Sequence, residues 1–305
     1  MILSIPFLAS RMEQFSPATL EQGFGVEASL FDRQDIVDPE VWRQVQANTL
    51  RIAREHRPAS YTFHFPVNDC NYLEDPLVRQ RVWESLELVD ACGMDGLVLH
   101  SNLIYPTDEW RRLDPARKWE QYREFAQELQ QRTRGARFWV GLENMPIHGN
   151  DAEELDPVLV FPHDFEGLYG GNVGITWDFC HYSYSVFVAS KLLANELDEL
   201  DEYPRVQPAG YMDFLALGDH IVHYHFSAFR GVASRRRGTR CVEGMPPWDA
   251  DVPESVYREA FAHICRSKAK ATTLEIRETD YRFRKMAFQV ADWCRTLMED
   301  SPVHR

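Results

Sequence analysis

The chain alternates between short apolar runs and longer amphipathic segments. Each apolar run has the length of a buried strand and contains β-branched or aromatic residues. Polar or turn-forming residues border most of the runs. The runs predict eight β-strands, over residues 3–9, 24–31, 60–67, 96–102, 137–145, 173–180, 220–228 and 271–278.

Amphipathic segments with apolar residues at three- and four-residue spacing separate most of these strands, which is the pattern of a helix that packs on one face. Asp or Asn beside Pro marks several of their starts, as is typical of helix N-termini. The connection between the first two strands has the weakest helical pattern, around Ser16 and Pro17. The predicted helices cover residues 39–56, 75–93, 114–133, 185–200, 254–267 and 281–300.

This alternation indicates an α/β protein, built either as a doubly wound sheet or as a closed (β/α)8 barrel. Polar residues near the ends of six successive strands favour the barrel. A doubly wound sheet collects its site at one switch point, whereas a barrel brings all its strand ends to one rim. We therefore predict a single-domain (β/α)8 TIM barrel over residues 1–305. The six residues are His64, His100, Glu143, Asp178, His225 and Glu275.

Composition narrows the class of ligand and partner. The formal net charge of -14 argues against a general nucleic-acid surface, because phosphate binding depends on clustered Lys and Arg. Six dispersed cysteines without a CxxC pair predict reduced thiols.

The N-terminal stretch lacks the features of a signal peptide, and no run reaches the roughly 18 apolar residues of a membrane span. We expect a cytoplasmic protein without membrane contact, and a homo-oligomer is compatible with the sequence.

The residue types at the strand ends suit a divalent cation. Two carboxylates from opposite sides of a barrel, Glu143 and Glu275, would join Asp178 and His225 in a site of oxygen and nitrogen ligands. Such a site fits Mn, Zn, Fe or Mg and needs no thiolate. Strand alternation would place Cys180 on the same side as Asp178, although a buried structural cysteine is the more common case.

Four segments carry a family resemblance. They are GLENMP (141–146), WDFCHYS (177–183), HYHFSAFRG (223–231) and TLEIRE (273–278). In strand order they resemble the strand-end motifs of the xylose isomerase-like TIM-barrel superfamily. That superfamily includes sugar epimerases of the tagatose 3-epimerase type and the endonuclease IV proteins.

The resemblance to the epimerases implies one divalent metal held by Glu143, Asp178, His225 and Glu275. It also implies that the two glutamates exchange protons with the substrate, that His181 contacts the substrate, and that an arginine after strand seven does so too. Arg230 is the nearest match for that arginine.

The resemblance to endonuclease IV implies a second metal, bound by His64 and His100 and bridged by Glu143, so that one or two ions per chain are expected. A third metal would need an Asp-x-His in the loop after strand seven. Thr239, Arg240 and Cys241 stand there instead, so the third site is predicted to be absent. The long segment 231–253 is predicted to be a rim loop, and its arginines at 235–237 and 240 are either solvated or phosphate contacts.

These features favour a metal-dependent isomerase or epimerase that acts on a carbohydrate, either a sugar or a sugar phosphate. A metal would polarise the substrate carbonyl and adjacent hydroxyl, and a glutamate would move the neighbouring C–H proton. His181 would orient a hydroxyl, while His64 and His100 would bind a second metal or line the sugar pocket. A metal-dependent hydrolase of the endonuclease IV type is the main alternative, and a barrel without turnover is a third.

Overall fold

The computed structural model of the protein describes residues 1–66, 68–101, 105–106, 109, 112–148, 154–155, 158–198, 200, 203 and 205–300. Within them, eight parallel strands close into a barrel in which each strand pairs with its neighbours along the sequence and the last pairs with the first. The barrel strands are β1 (Ile2–Leu8), β2 (Gly25–Ser29), β3 (Tyr61–His64), β4 (Gly96–His100), β5 (Trp139–Glu143), β6 (Val173–Asp178), β7 (Ile221–Phe226) and β8 (Ala271–Leu274).

The closed barrel confirms the predicted fold, and all eight predicted strands are present. Three predicted segments extend to positions 67, 102 and 199, which lie outside the described residues. The prediction of one domain over 1–305 also includes undescribed positions and stays a prediction. No helix among the described residues is long and apolar enough to cross a membrane.

Helices follow most of the strands and pack around the barrel. They are α1 (Pro17–Glu21), α2 (Gln34–Val37), α3 (Pro39–Glu55), α4 (Pro76–Cys92), α5 (Pro115–Arg132), α6 (Phe179–Leu193), α7 (Glu254–Arg266) and α8 (Lys285–Asp300).

The Asp-Pro pairs seen in the sequence begin three of these helices. Asp38, Asp75 and Asp114 each accept hydrogen bonds from two backbone N–H groups of the first turn, and proline follows each as the first helical residue. An aspartate cap satisfies donors that have no partner within the helix, and proline lacks the N–H that would be unpaired there.

The helix predicted over 185–200 has different bounds. It begins at Phe179, directly after β6, and ends at Leu193. Asp178 is at once the last residue of β6 and the cap of α6, where its Oδ1 accepts the His181 N–H at 2.6 Å. Cys180 and His181 therefore lie in the first helical turn, and the strand alternation assumed for Cys180 was wrong.

The segment after β7 is partly ordered into a hairpin. Ala228–Arg230 pairs antiparallel with Val242–Met245, with a register shift between Ala228 and Phe229. The segment predicted as a rim loop thus contains one strand of this hairpin and a short 3-10 helix, Pro247–Asp249.

A tryptophan fills the barrel below its carboxyl end. Trp139 begins β5 and pairs in register with Gly96 of β4. A Cβ atom on Gly96 would come within 2.2 Å of the Trp139 ring, so only glycine leaves room for this side chain. On its other side Trp139 stacks on His223, with ring centroids 5.0 Å apart. This layer is the floor beneath the strand-end residues.

Candidate metal centre

The structure brings the six predicted strand-end residues together. His64, His100, Glu143 and Asp178 are the last residues of β3 to β6, His225 is the penultimate residue of β7, and Glu275 directly follows β8. The carboxyl ends of parallel strands meet at one rim, so this placement follows from barrel closure. Five of the six side chains are at most 12% exposed, and that of Glu275 is 27% exposed.

Glu143 lies at the middle of the cluster. Its Oε2 is 3.0 Å from His100 Nε2 and 3.3 Å from His64 Nε2, while its Oε1 is 3.1 Å from His225 Nδ1. His225 Nδ1 also lies 3.5 Å from Glu275 Oε1 and 4.0 Å from Asp178 Oδ2.

Ligand-type atoms of the described residues form four overlapping sets. Glu27, His223 and His225 form one, His64, His225 and Glu275 form another, and Glu143 belongs to the remaining two. One of these two sets is Glu143, Asp178, His225 and Glu275. Each residue offers one ligand atom, and the four atoms lie within 4.8 Å of one another. In the other set the same holds for His64, His100 and Glu143. The residues thus supply oxygen and nitrogen atoms at spacings that fit one cation, with a second set that shares the Glu143 carboxylate.

Two buried carboxylate oxygens support the fit of a cation. Among the described residues, Glu143 Oε2 and Asp178 Oδ2 have no partner in a well-aligned hydrogen bond. Leaving a buried polar atom unpaired costs free energy, so such atoms in a cluster indicate a missing partner. A divalent cation is a partner that both oxygens could share.

Backbone carbonyls fix the orientation of two histidine rings. His64 Nδ1 donates to the carbonyl oxygen of Phe65 at 2.9 Å, and His181 Nδ1 donates to that of Asn144 at 2.9 Å. When Nδ1 carries the proton, Nε2 of a neutral ring is free to accept or to bind metal. His64 Nε2 faces Glu143, and His181 Nε2 lies 3.8 Å from Glu243 Oε1.

The carboxylates of the cluster differ in proton affinity. Burial, reinforced by the charges of Glu143 and Glu275, raises the pKa of Asp178 to about 8, although His181 opposes the shift. Burial also raises the pKa of Glu275. For Glu143, burial is outweighed by His100 and His225, which hold the pKa of this carboxylate well below its usual range.

The histidines of the cluster also differ in the direction of their pKa shifts. Burial lowers the pKa of His100 to about 4, so its ring is neutral at physiological pH. For His225, burial is outweighed by Glu143 and Glu275, and its pKa lies well above the ordinary value. Asp178 and Glu243 likewise outweigh burial at His181 and hold the pKa of its ring well above the ordinary value.

An open cavity of about 470 Å³ lies above the cluster. Asp178, His181 and Glu275 reach it from the predicted site, while His64, Glu143 and His225 are more deeply buried. The partly exposed rings of Phe31 and Tyr281 also border it. Its remaining lining residues are Pro6, Cys180, Ser227, Glu243, Gly244, Ile276, Arg277 and Glu278.

His64 and His100, which were predicted to bind a second metal or line the sugar pocket, do not line this cavity. Neither does Arg230, the predicted substrate arginine. It ends the outer strand of the hairpin after β7, its side chain is 60% exposed, and it pairs with Asp249 at 3.0 Å. Arg277 occupies a position at the cavity instead. In the basic segment, Arg236 and Arg237 bind the carbonyl and carboxylate oxygens of Asp198.

Sequence reasoning missed three residues that surround the cluster. Glu27 of β2 lies within 3.3 Å of His225, Asn144 holds the backbone of Asp178, and Glu243 faces His181. A single carboxylate within the apolar run 24–31 was a usable signal for Glu27. Only residues near strand ends were considered in the sequence, and Glu27 was missed because this glutamate lies in the middle of its strand.

No protein-family model matches this chain, and no curated protein sequence matches it. Solved structures do match over nearly its whole length. The chain is similar to an IolI protein with a bound zinc atom (12% identity, 98% of this chain and 99% of that one, TM-score 0.62). It is also similar to a D-tagatose 3-epimerase-like protein (14%, 98% and 99%, 0.58) and to endonuclease IV from Thermus thermophilus (14%, 99% and 100%, 0.56).

At these identities the similarity establishes the fold. The chain has a closed (β/α)8 barrel similar to those of the IolI, D-tagatose 3-epimerase-like and endonuclease IV structures, and this is the fold that its sequence motifs predicted.

Proposed function

We propose that this protein is a divalent-metal-dependent isomerase or epimerase, which acts on a sugar or sugar phosphate by glutamate-mediated proton transfer. The observation that carries the proposal is the set of Glu143, Asp178, His225 and Glu275, with ligand atoms within 4.8 Å, beneath an open cavity. The similar fold of a D-tagatose 3-epimerase-like protein and the zinc atom in the IolI structure support it.

These four residues would hold the ion, and His64 and His100 would hold a second one with Glu143. A bound divalent ion supplies Lewis-acid polarisation of a carbonyl and an adjacent hydroxyl, which lowers the barrier to removing the neighbouring C–H proton.

The two glutamates have different access to a substrate. Glu275 borders the cavity with 27% of its side chain exposed, whereas Glu143 is fully buried. We therefore assign proton abstraction to Glu275, and Glu143 stays the predicted second proton carrier. His181, in the first turn of α6, would hold a substrate hydroxyl through Nε2.

Hydrogen exchange tests this assignment. The metal-loaded protein is expected to move deuterium from solvent into a ketose, measured by NMR of the recovered sugar. Glu275→Gln keeps the shape of the side chain and removes the base, so the exchange rate should fall by roughly 100-fold or more.

Asp280→Asn is the matched control, because Asp280 also follows β8 but pairs with Arg282 and does not line the cavity. It should leave the exchange rate unchanged. A metal-loaded protein that gives no exchange with a broad panel of ketoses and aldoses would contradict the proposed function.

The set of His64, His100 and Glu143 favours a second candidate, a metal-dependent phosphodiester hydrolase of the endonuclease IV type. This candidate requires two or more ions per chain and cleavage of a DNA duplex that contains an abasic site. Elemental analysis of protein purified without added metal, followed by a cleavage assay at low salt, distinguishes the hydrolase from the isomerase or epimerase. One ion and no cleavage would remove the hydrolase.

A further inference from the structure

Glu27 is a fully buried carboxylate inside the barrel, one layer below the strand-end cluster. Its position in the middle of β2 sets it beside Pro6 of β1 and Thr62 of β3. One of its oxygens, Oε2, accepts hydrogen bonds from the hydroxyls of Thr62 at 2.8 Å and Thr273 at 3.2 Å. These bonds fix the carboxylate in one orientation.

The other oxygen of Glu27 faces His225. Glu27 Oε1 lies 3.3 Å from His225 Nε2, and both atoms are buried without a well-aligned hydrogen bond to any described residue. A buried carboxylate oxygen is costly unless it accepts a hydrogen bond. Each of these atoms is therefore an available partner of the other.

The two nitrogens of His225 point to opposite sides. Nδ1 faces the predicted ligands, 3.1 Å from Glu143 Oε1 and 3.5 Å from Glu275 Oε1, whereas Nε2 faces Glu27. A neutral imidazole carries its proton on one nitrogen and offers the lone pair of the other. A proton placed on Nε2 thus leaves the lone pair of Nδ1 directed at the cluster.

We propose that Glu27 is a positioning residue for the metal centre, which accepts the Nε2 proton of His225 and so presents Nδ1 to the cation. The inference rests on the metal site proposed above and assigns Glu27 a role through His225, outside the four residues proposed to hold the ion. A carboxylate that holds the far nitrogen of a ligating histidine fixes the ring and increases its basicity, and its loss typically weakens metal binding by about 10–100-fold.

Zinc affinity and NMR of the histidine ring test the proposal together. Glu27→Gln keeps the size of the side chain and removes its charge. Zinc binding, measured by competition with a chromophoric chelator, should weaken by about 10–100-fold. In the zinc-loaded protein, the His225 Nε2–H proton should resonate downfield, as expected for donation to a carboxylate, and it should move upfield in the variant. A residue with only a structural role would not move that resonance.

His223→Gln is the matched control. His223 is equally buried and approaches the other oxygen of Glu27, at 3.4 Å, but it is not one of the four residues proposed to hold the ion. It should leave the zinc affinity and the His225 resonance close to those of the unaltered protein. If Glu27→Gln does not fold, Thr62→Val replaces it. That variant removes the hydroxyl that anchors Glu27 and should cause a smaller loss of affinity in the same direction.

Three results would overturn the proposal. The first is a Glu27→Gln protein with unchanged zinc affinity and an unmoved Nε2–H resonance. The second is an equal loss of affinity in His223→Gln, which would indicate general disruption of the buried layer. The third is the loss of one whole zinc ion in Glu27→Gln, which would make Glu27 a ligand. Tight zinc binding without any hydrogen exchange into sugars would contradict the proposed function and leave the role of Glu27 intact.

Discussion

At the scale of single residues, Asp178 divides its carboxylate between two roles. Oδ1 accepts the His181 N–H and caps α6, while Oδ2 points into the cluster without a well-aligned hydrogen bond from any described residue. Burial, with Glu143 and Glu275 adding to it, raises the pKa of this carboxyl to about 8, so the ion-free protein holds a proton there at neutral pH. The sequence predicted the residue as a ligand but gave no sign of its proton affinity.

We expect zinc affinity to rise with pH from mildly acidic values to about pH 8, because the ion must displace the Asp178 proton. His225, whose pKa is also raised, contributes in the same direction because its Nδ1 must be deprotonated to bind. Titration calorimetry in buffers of different ionisation enthalpy should detect the released protons. Asp178→Asn should weaken binding and release fewer protons. An affinity that does not vary over this range would contradict the assignment.

At the scale of elements, the junction of β6 and α6 separates what the sequence could predict from what it could not. The strand was predicted through residue 180 and the helix from residue 185, whereas the chain passes from strand to helix at Asp178. All but one of the residues from Phe179 to Ala189 are buried, so α6 lacks the polar face that reveals a helix by its periodicity. An aspartate before the apolar segment was the available signal, as a helix N-cap.

Asn144 ties the end of β5 to the end of β6. Its Oδ1 accepts the Asp178 N–H at 2.8 Å, and its Nδ2 donates to the Asp178 carbonyl oxygen at 3.0 Å. Asn144→Leu would leave two buried backbone groups unpaired, so we expect a loss of about 2–5 kcal/mol in the free energy of unfolding, measured with urea. Zinc binding should weaken as well, because Asp178 loses its fixed position.

Asn172→Leu is the control for this variant. Asn172 precedes β6 at the opposite end of the barrel, where its Nδ2 donates to the carbonyl oxygens of Thr133 and Ala136. The substitution should lower the free energy of unfolding without changing zinc affinity. Equal effects of the two variants on zinc affinity would show that Asn144 acts only on global stability.

At the scale of the whole molecule, barrel closure explains why the clustering of the six strand-end residues was predictable. Six residues far apart in sequence had to meet because parallel strands end at a common rim. Features that depend on irregular backbone were not predictable. The hairpin after β7 carries a register shift, and its Arg230 pairs with Asp249, which strand counting could not anticipate. The net charge of -14 would attract cations to a carboxylate-rich rim and repel phosphate backbones.

The layer of Trp139 and His223 affects the order in which an ion and a sugar would enter and leave the site. It fills the barrel below the cluster, and His223 is only 1% exposed. An ion held by the strand-end residues therefore exchanges with solvent through the cavity above them. A sugar in that cavity would stand in this path, so the ion must arrive before the sugar and depart after it. Saturating substrate should then slow the removal of zinc by a chelator.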